Sequence, residues 1–369
     1  MHYDFCTLFD RNYLFKGLAL HESLQRHVGD FTLWVLCMDD IVHAVLEKMR
    51  LPEIKLISLA QFEDEDLLRA KATRSQVEYC WTCTPSLPLY LLNHVTGIEA
   101  ITYLDADLFF FGDPGDVFAE LGGGSIGIVA HRFSPTHGRM AESAGTYNVA
   151  FMVFKNDSHA RGCLAWWRDR CNEWCYARHE EGKYGDQKYL NDWPERFPRV
   201  VVLQDVGVGL APWNLRSHRI AMRGGRVFVD GQPLIFYHFH LFLIVGNGQQ
   251  FRLVHPYYRL GRRNAKLVYR PYVASIERAM TQVRRSVPDY AYGISGERLD
   301  TRVMRLVTWA REQVDRARLL MRQAGRAAPG RLRTLHASEE SVPLEPPAAS
   351  AADTGESQAA AGHESDPLA

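Results

Sequence analysis

Asp105 and Asp107 stand one residue apart, at the end of the apolar run Ala100–Leu104 and directly ahead of Leu108-Phe-Phe-Phe111. Carboxylates at this spacing converge on one hard cation, and the small Ala106 between them leaves room. Manganese or magnesium accepts such oxygen ligands and bridges to phosphate oxygens. On a surface loop the pair would more usually be two solvated acids. Here apolar residues on both sides bury it at least in part, and buried carboxylates are costly unless paired or metal-bound, which favours a functional role. The second constellation is Phe236-Tyr-His-Phe-His240, in which strand alternation puts His238 and His240 on one face and Tyr237 and Phe239 on the other. Either imidazole can complete a metal shell. A lone histidine of this kind is more often satisfied by core hydrogen bonds, and the acidic pair reverses that preference. Third, Gly185-Asp186-Gln187 sets a carboxylate beside a carboxamide, which together offer acceptors and donors to sugar hydroxyls; by local pattern alone Asp186 reads as a helix N-cap. Cys80-Trp-Thr-Cys83 has zinc or redox spacing, with Cys171 and Cys175 of the same type, but no histidine sits where a zinc module needs it. Thiols packing as small hydrophobes is the better reading.

These residues need elements to hold them. Phe5–Phe9, Thr32–Cys37 and Ile54–Leu59 read as strands, alternating with helices over Leu14–His27 and Ile41–Met49. Repeated β-α-β units imply a parallel sheet flanked by helices. Thr84 and Pro85 predict the start of a helix running to His94. That helix delivers the strand Ala100–Leu104, so the acidic pair falls at a strand's carboxyl end, where open α/β sheets bind ligands. Strands over 125–130, 147–154, 200–204, 226–229 and 234–239, and a long helix through Cys163, Trp166, Trp167 and Trp174, make the second half mixed. Asp230-Gly231 marks a hairpin between the last two strands.

The organisation expected is a catalytic domain over 1–250, a helical extension over 251–326 and a disordered tail over 327–369, rich in Ala, Pro, Ser, Gly and Glu. Residues 298–326 read as one arginine-rich helix with an imperfect apolar stripe. Such a helix can lie on an anionic membrane, although a domain-packed helix with a solvated basic face is the simpler reading. The formal net charge is zero, with 43 basic and 43 acidic residues, so nothing global steers the chain to nucleic acid. The seven cysteines form no dense paired framework, and neither a signal-like leader nor a membrane-spanning apolar stretch is seen. The expected location is the cytoplasm, with possible peripheral contact at the inner face of the membrane.

Together these segments resemble bacterial GT-A nucleotide-diphospho-sugar transferases, related to the retaining family that includes glycogenin and lipopolysaccharide galactosyltransferases. The likeness spans residues 3–245. It is carried by Cys6-Thr-Leu-Phe-Asp10 with Asn12-Tyr13, Glu78-Tyr-Cys-Trp-Thr-Cys-Thr-Pro85, Tyr103-Leu-Asp-Ala-Asp107, Tyr147-Asn-Val-Ala150, Gly185-Asp-Gln-Lys-Tyr189, Ala211-Pro-Trp-Asn214 and His238-Phe-His240. The resemblance implies a Rossmann-like GT-A fold with a mixed, mostly parallel central sheet. It further implies transfer of a sugar from a nucleotide-diphosphate donor, by default a UDP-sugar, to a glycan, lipid-linked or other acceptor, with retention of configuration. It matches Thr7 and Asp10 to the donor base and ribose, and Arg74 to the donor phosphates or sugar. Asp105, Ala106 and Asp107 match the metal and donor motif, with His238 a further ligand of Mn2+ or Mg2+. Asn148, Asp186 and Gln187 match the region around donor sugar and acceptor. Two positions depart from the pattern. Leu241 follows His240 where the motif continues into glycine, and Gly209 stands where an asparagine is expected nearby. Polysaccharide or lipopolysaccharide biosynthesis is the setting that fits. The rivals are a nucleotidyltransferase, disfavoured because no glycine-rich, lysine-containing phosphate loop is near the N-terminus, and a catalytically silent sugar-nucleotide or glycan-binding module.

Overall fold

The computed structural model describes residues 2–246 apart from Thr136 and Arg139, residues 251–254 and residues 262–294. The apolar run at the N-terminus forms β1 (His2–Phe9), and a pass through α1 (Leu14–His27) leads to β2 (Asp30–Cys37), parallel beside it. Helix α2 (Asp40–Met49) starts on Asp39, whose carboxylate accepts from Val42 N, and leads to β3 (Ile54–Ser58). The strands β4 (Ala100–Leu104), β5 (Leu108–Phe110), β6 (Ile126–Ala130), β7 (Tyr147–Lys155) and β8 (Val200–Leu203) follow. Seven of these make one sheet in the order β3-β2-β1-β4-β7-β6-β8, in which only β7 runs against its neighbours. This is the mixed, mostly parallel sheet flanked by helices that the sequence leads one to expect.

Alternation along β1 splits the core in two. Phe5 and Phe9 join the apolar cluster under α1, while Cys6 and Leu8 join the cluster under helices α3 (Gln76–His94) and α4 (Ser158–Glu173). The cluster beneath α3 and α4 holds the buried Cys83, Cys163, Cys171 and Cys175. All seven cysteines are free, and burial pushes the Cys80 thiol up to about 12, in keeping with packing rather than metal or redox chemistry.

The expected helix start at Thr84-Pro85 is wrong. Helix α3 begins nine residues before Pro85 on a capping box in which Ser75 Oγ accepts from Glu78 N and Glu78 Oε2 accepts from Ser75 N; Pro85 and Pro88 lie inside it. Burial of Tyr79, Cys83, Leu87 and Leu91 along one face outweighs the two lost backbone donors. The hairpin also differs. Strands β9 (Ile220–Arg223), β10 (Arg226–Val229) and β11 (Gln232–Pro233) form a small antiparallel sheet turned at Asp230-Gly231. Then β12 (Phe236–His238) leaves it to pair with β5. A single strand over 234–239 cannot serve both partners, so the chain breaks at Leu234-Ile235.

In the expected C-terminal extension, α5 (Arg270–Ser286) packs against α1; Arg278 Nε donates to Glu22 Oε1 at 2.9 Å and Tyr272, Ile276 and Val283 are buried. The helix read over 298–326 and the tail over 327–369 lie outside the described residues. Among the described residues no helix is long and apolar enough to cross a membrane.

Candidate functional site

The strand order reverses at β1 and β4, and the acidic pair sits at the carboxyl end of β4, in the crevice this reversal opens. Asp105 N donates to Ala150 O at 2.9 Å, which ties the start of the acidic turn to β7; Leu108 N donates to Asp105 O at 3.1 Å and closes it. The antiparallel register sets Leu108 opposite His238 and Phe110 opposite Phe236. The imidazole therefore arrives beside the acids: His238 Nε2 is 3.0 Å from Asp107 Oδ1 and 3.7 Å from Asp105 Oδ2. Asp105, Asp107 and His238 offer three ligand atoms all within 4.8 Å of one another, the metal-type cluster found among the described residues. The donor set of two carboxylates and an imidazole suits a divalent ion such as manganese or magnesium.

His240 stands beside His238, with ring centroids 5.5 Å apart, and packs edge-on to Trp213; it is not one of the three clustered ligands. The alternation expected of this strand holds. Phe239, on the opposite face, stacks on Tyr272 with centroids 3.7 Å apart, and the Tyr237 and Tyr269 hydroxyls meet at 2.9 Å. Aromatic packing against α5 and the segment before it thus fixes the strand that carries the histidine.

Burial pushes both carboxyls up, but their surroundings split them. For Asp107 the charge and hydrogen bond of His238, then the ammonium of Lys16, outweigh burial and hold it below the usual carboxylate range. Asp105, with more limited help from His238 and repulsion from Asp107, is raised to about 6. Burial lowers the His238 pKa, yet the two aspartates prevail and raise it.

A second polar group lies next to this cluster. Asp186 is buried at the entry to the 3₁₀ helix Gln187–Asp192, and its side chain makes no capping bond, contrary to the N-cap reading. Its Oδ2 has no hydrogen-bond partner among the described residues; burial, then the charge of Asp105, raise its pKa to about 7. Gln187 Oε1 accepts from Asn148 Nδ2 at 3.0 Å and Val149 N at 3.3 Å, while its Nε2 donates to Ala144 O at 2.7 Å. Asn148 Nδ2 also lies 3.1 Å from His131 Nε2, and Asn148 Oδ1 accepts from Ala150 N. His131, stacked on Phe133, is driven by burial down to about 3 and stays neutral. Ala150, Asn148 and Gln187 therefore form one hydrogen-bonded chain that begins at the backbone of Asp105.

Thr7 is fully buried in β1, its hydroxyl without a hydrogen-bond partner among the described residues, and Asp10, in the loop after it, accepts from Asn12 N and Nδ2 at 2.9 and 3.1 Å. Ala106, between the acids, is buried. The Arg74 guanidinium donates to Asn172 O and Glu173 O at the end of α4 and lies 3.7 Å over Tyr176, whose carbonyl accepts from Gly185 N beside Asp186. The two departures from the motif acquire a physical reading. Leu241 holds φ 56, the left-handed backbone a glycine would adopt there. Gly209 holds φ 77, and a Cβ on it would come within 2.6 Å of Val129 Cγ1, so no side chain fits; Asn214 instead reaches its carbonyl with Nδ2 at 2.9 Å. Gly209, Asn148, Trp213 and His238 line a small cavity beside the acids. Sequence reading missed Lys16 and His131. For Lys16 the signal was a lysine inside the apolar run Leu14-Phe15-Lys16-Gly17-Leu18.

No family model matches the chain. It is 34% identical over 294 residues to the uncharacterized protein YfnD of Bacillus subtilis (strain 168), covering 79% of this chain and 94% of that protein. It is 38% identical over 248 residues to the uncharacterized protein YfnF of the same organism, covering 65% and 82%. Among solved structures it is similar to the galactosyltransferase LgtC in complex with donor and acceptor sugar analogues, at 14% identity and a TM-score of 0.46, covering 74% of this chain and 95% of that one. It is also similar to the glycosyltransferase GlyE of Streptococcus pneumoniae TIGR4, at 16% identity and a TM-score of 0.44, covering 79% and 65%. On the strength of the two Bacillus subtilis relatives, this chain belongs to one family with YfnD and YfnF.

Proposed function

We propose that the protein is a glycosyltransferase that moves a sugar from a nucleotide-diphosphate donor, by default a UDP-sugar, to a glycan, lipid-linked or other acceptor with retention of configuration. The observation that carries this reading is the convergence of Asp105, Asp107 and His238 at the carboxyl end of β4, next to the buried Asp186 and the half-buried Gln187. A divalent cation held by those three side chains, manganese or magnesium, would supply Lewis-acid neutralisation of the departing diphosphate. The remaining work falls to the chain itself. Thr7 and Asp10, on the same edge of the sheet, take the base and ribose, and Asn148 and Gln187, locked by their mutual hydrogen bond, position the donor sugar. Asp186 orients the acceptor or assists at the anomeric carbon. The preorganised amide chain costs nothing to reorient as charge develops.

The experiment is donor hydrolysis across UDP-, GDP-, ADP- and dTDP-sugars, with manganese or chelator, for the wild type and Asp107→Ala. Manganese-dependent release of one free sugar, lost in the variant, is expected. Release of a nucleoside monophosphate group onto an acceptor would make it a nucleotidyltransferase. Metal-independent binding without turnover by any acceptor would make it a binding module.

A further inference from the structure

Lys16 is a buried cation in an unusual place. It sits in the first turn and a half of α1, 6% exposed, in a stretch where Leu14, Phe15, Gly17, Leu18 and Ala19 are also buried. Its ammonium lies 4.0 Å from Asp107 Oδ2, too far for a hydrogen bond, and 3.8 Å from the centre of the Tyr13 ring. Asp107 Oδ1, by contrast, is engaged by His238 at 3.0 Å. An ammonium has three donors, and the Tyr13 side chain and a carboxylate at 4.0 Å leave donors to spare for a ligand.

The backbone beneath Lys16 is held hard. A Cβ on Gly17 would meet the Phe9 ring at 2.5 Å, so the glycine lets α1 close onto the end of β1. One helical stretch further on, Ser23 Oγ accepts from Phe110 N at 3.0 Å, which ties the helix to the strand following the acidic pair. The ammonium is therefore aimed at the crevice by tight packing on two sides of the acidic turn.

Charge bookkeeping then suggests what it meets. The two aspartates carry two negative charges, which one divalent ion balances, leaving nothing net to attract a diphosphate that is itself doubly negative. Lys16 makes the loaded site positive. We propose that Lys16 binds the diphosphate of the nucleotide donor, supplying hydrogen bonds and one positive charge to the leaving group from beside Asp107 Oδ2. This rests on the glycosyltransferase reading and assigns the donor phosphates a partner on α1.

The test compares calorimetric affinities of wild type, Lys16→Met and Lys16→Arg at saturating manganese. The probes are UDP, ADP, GDP and dTDP, each paired with its nucleoside. For the base that wild type prefers, Lys16→Met should weaken the diphosphate by about 10- to 100-fold, the range for a lost charge-assisted hydrogen bond, and leave the nucleoside unchanged. Lys16→Arg should recover most of the loss. Unchanged diphosphate affinity in Lys16→Met, or equal loss of diphosphate and nucleoside, would overturn the assignment and leave Lys16 a counter-ion or packing residue. If Lys16→Met does not fold, Lys16→Gln is measured in its place. A site that tolerates neither neutral residue marks Lys16 as structural and also overturns it. Wild type that binds no nucleoside diphosphate sinks the glycosyltransferase reading itself, a result separable from a Lys16 effect on intact binding.

Discussion

Asp107 turns Oδ1 to the imidazole of His238, 3.0 Å away, although one lies in the turn after β4 and the other on β12, much later in the sequence. The pairing follows from the β5–β12 register, and it singles out one of two nearby histidines. In a manganese titration followed by paramagnetic resonance, His238→Ala should weaken metal binding by at least about tenfold, with a smaller effect of His240→Ala. The reverse order would transfer the ligand role to His240.

Metal binding to the folded chain should raise its stability through linkage. At a free manganese concentration about 100 times the dissociation constant the gain is about 2.7 kcal/mol, visible as a higher melting temperature that chelator removes. Asp107→Asn, lacking the carboxylate, should melt at the same temperature with and without manganese. A metal-dependent shift that persists in the variant would place the ion elsewhere.

Asp186 sets a pH dependence of stability. Its carboxyl is raised from 3.8 to about 7 in the fold, so between those values the folded chain holds a proton the unfolded chain has lost. Stability from this group therefore falls as pH rises from about 4 to about 7, and the penalty, at most on the order of 4 kcal/mol, is complete above that range. Asp186→Asn does not titrate there. Denaturant unfolding should show the variant gaining on wild type as pH rises through this window; parallel curves would mean the carboxyl titrates normally.

Gly209 has both a positive φ and no space for a side chain, since Val129 Cγ1 would stand 2.6 Å from its Cβ. Gly209→Ala should cost more than about 1 kcal/mol in chemical denaturation, through backbone strain and displacement of β6. It should also disturb the cavity it shares with Trp213 and His238. A neutral result would show that the loop relaxes freely.

The capping box gives a local test of why α3 starts where it does. Ser75→Ala removes the acceptor for Glu78 N and should destabilise the chain by about 1 kcal/mol on thermal unfolding. Pairing it with Glu78→Ala should add less than the sum, because the two side chains satisfy each other's backbone. Full additivity would mean the two act separately.

Much of this protein is readable from residue order, because the signals are local. The alternation of β1, β2 and β3 with α1 and α2, the strand that ends on Asp105, and the two faces of Phe236–His240 all follow from periodicities that each segment carries within itself. Packing decided where local rules competed. Two prolines inside α3 were overridden by a buried face and an earlier cap, and residues 234–239 were divided because Leu234 N donates to Val227 O of β10 while Phe236–His238 pair with β5. The candidate site is the clearest case. Its acids and histidines were visible as types, but which imidazole meets Asp107, and that Lys16 comes within 4.0 Å of it, depends on strand register and on how closely Gly17 lets α1 approach Phe9. Those are distances between segments remote in sequence, and only the tertiary structure brings them together.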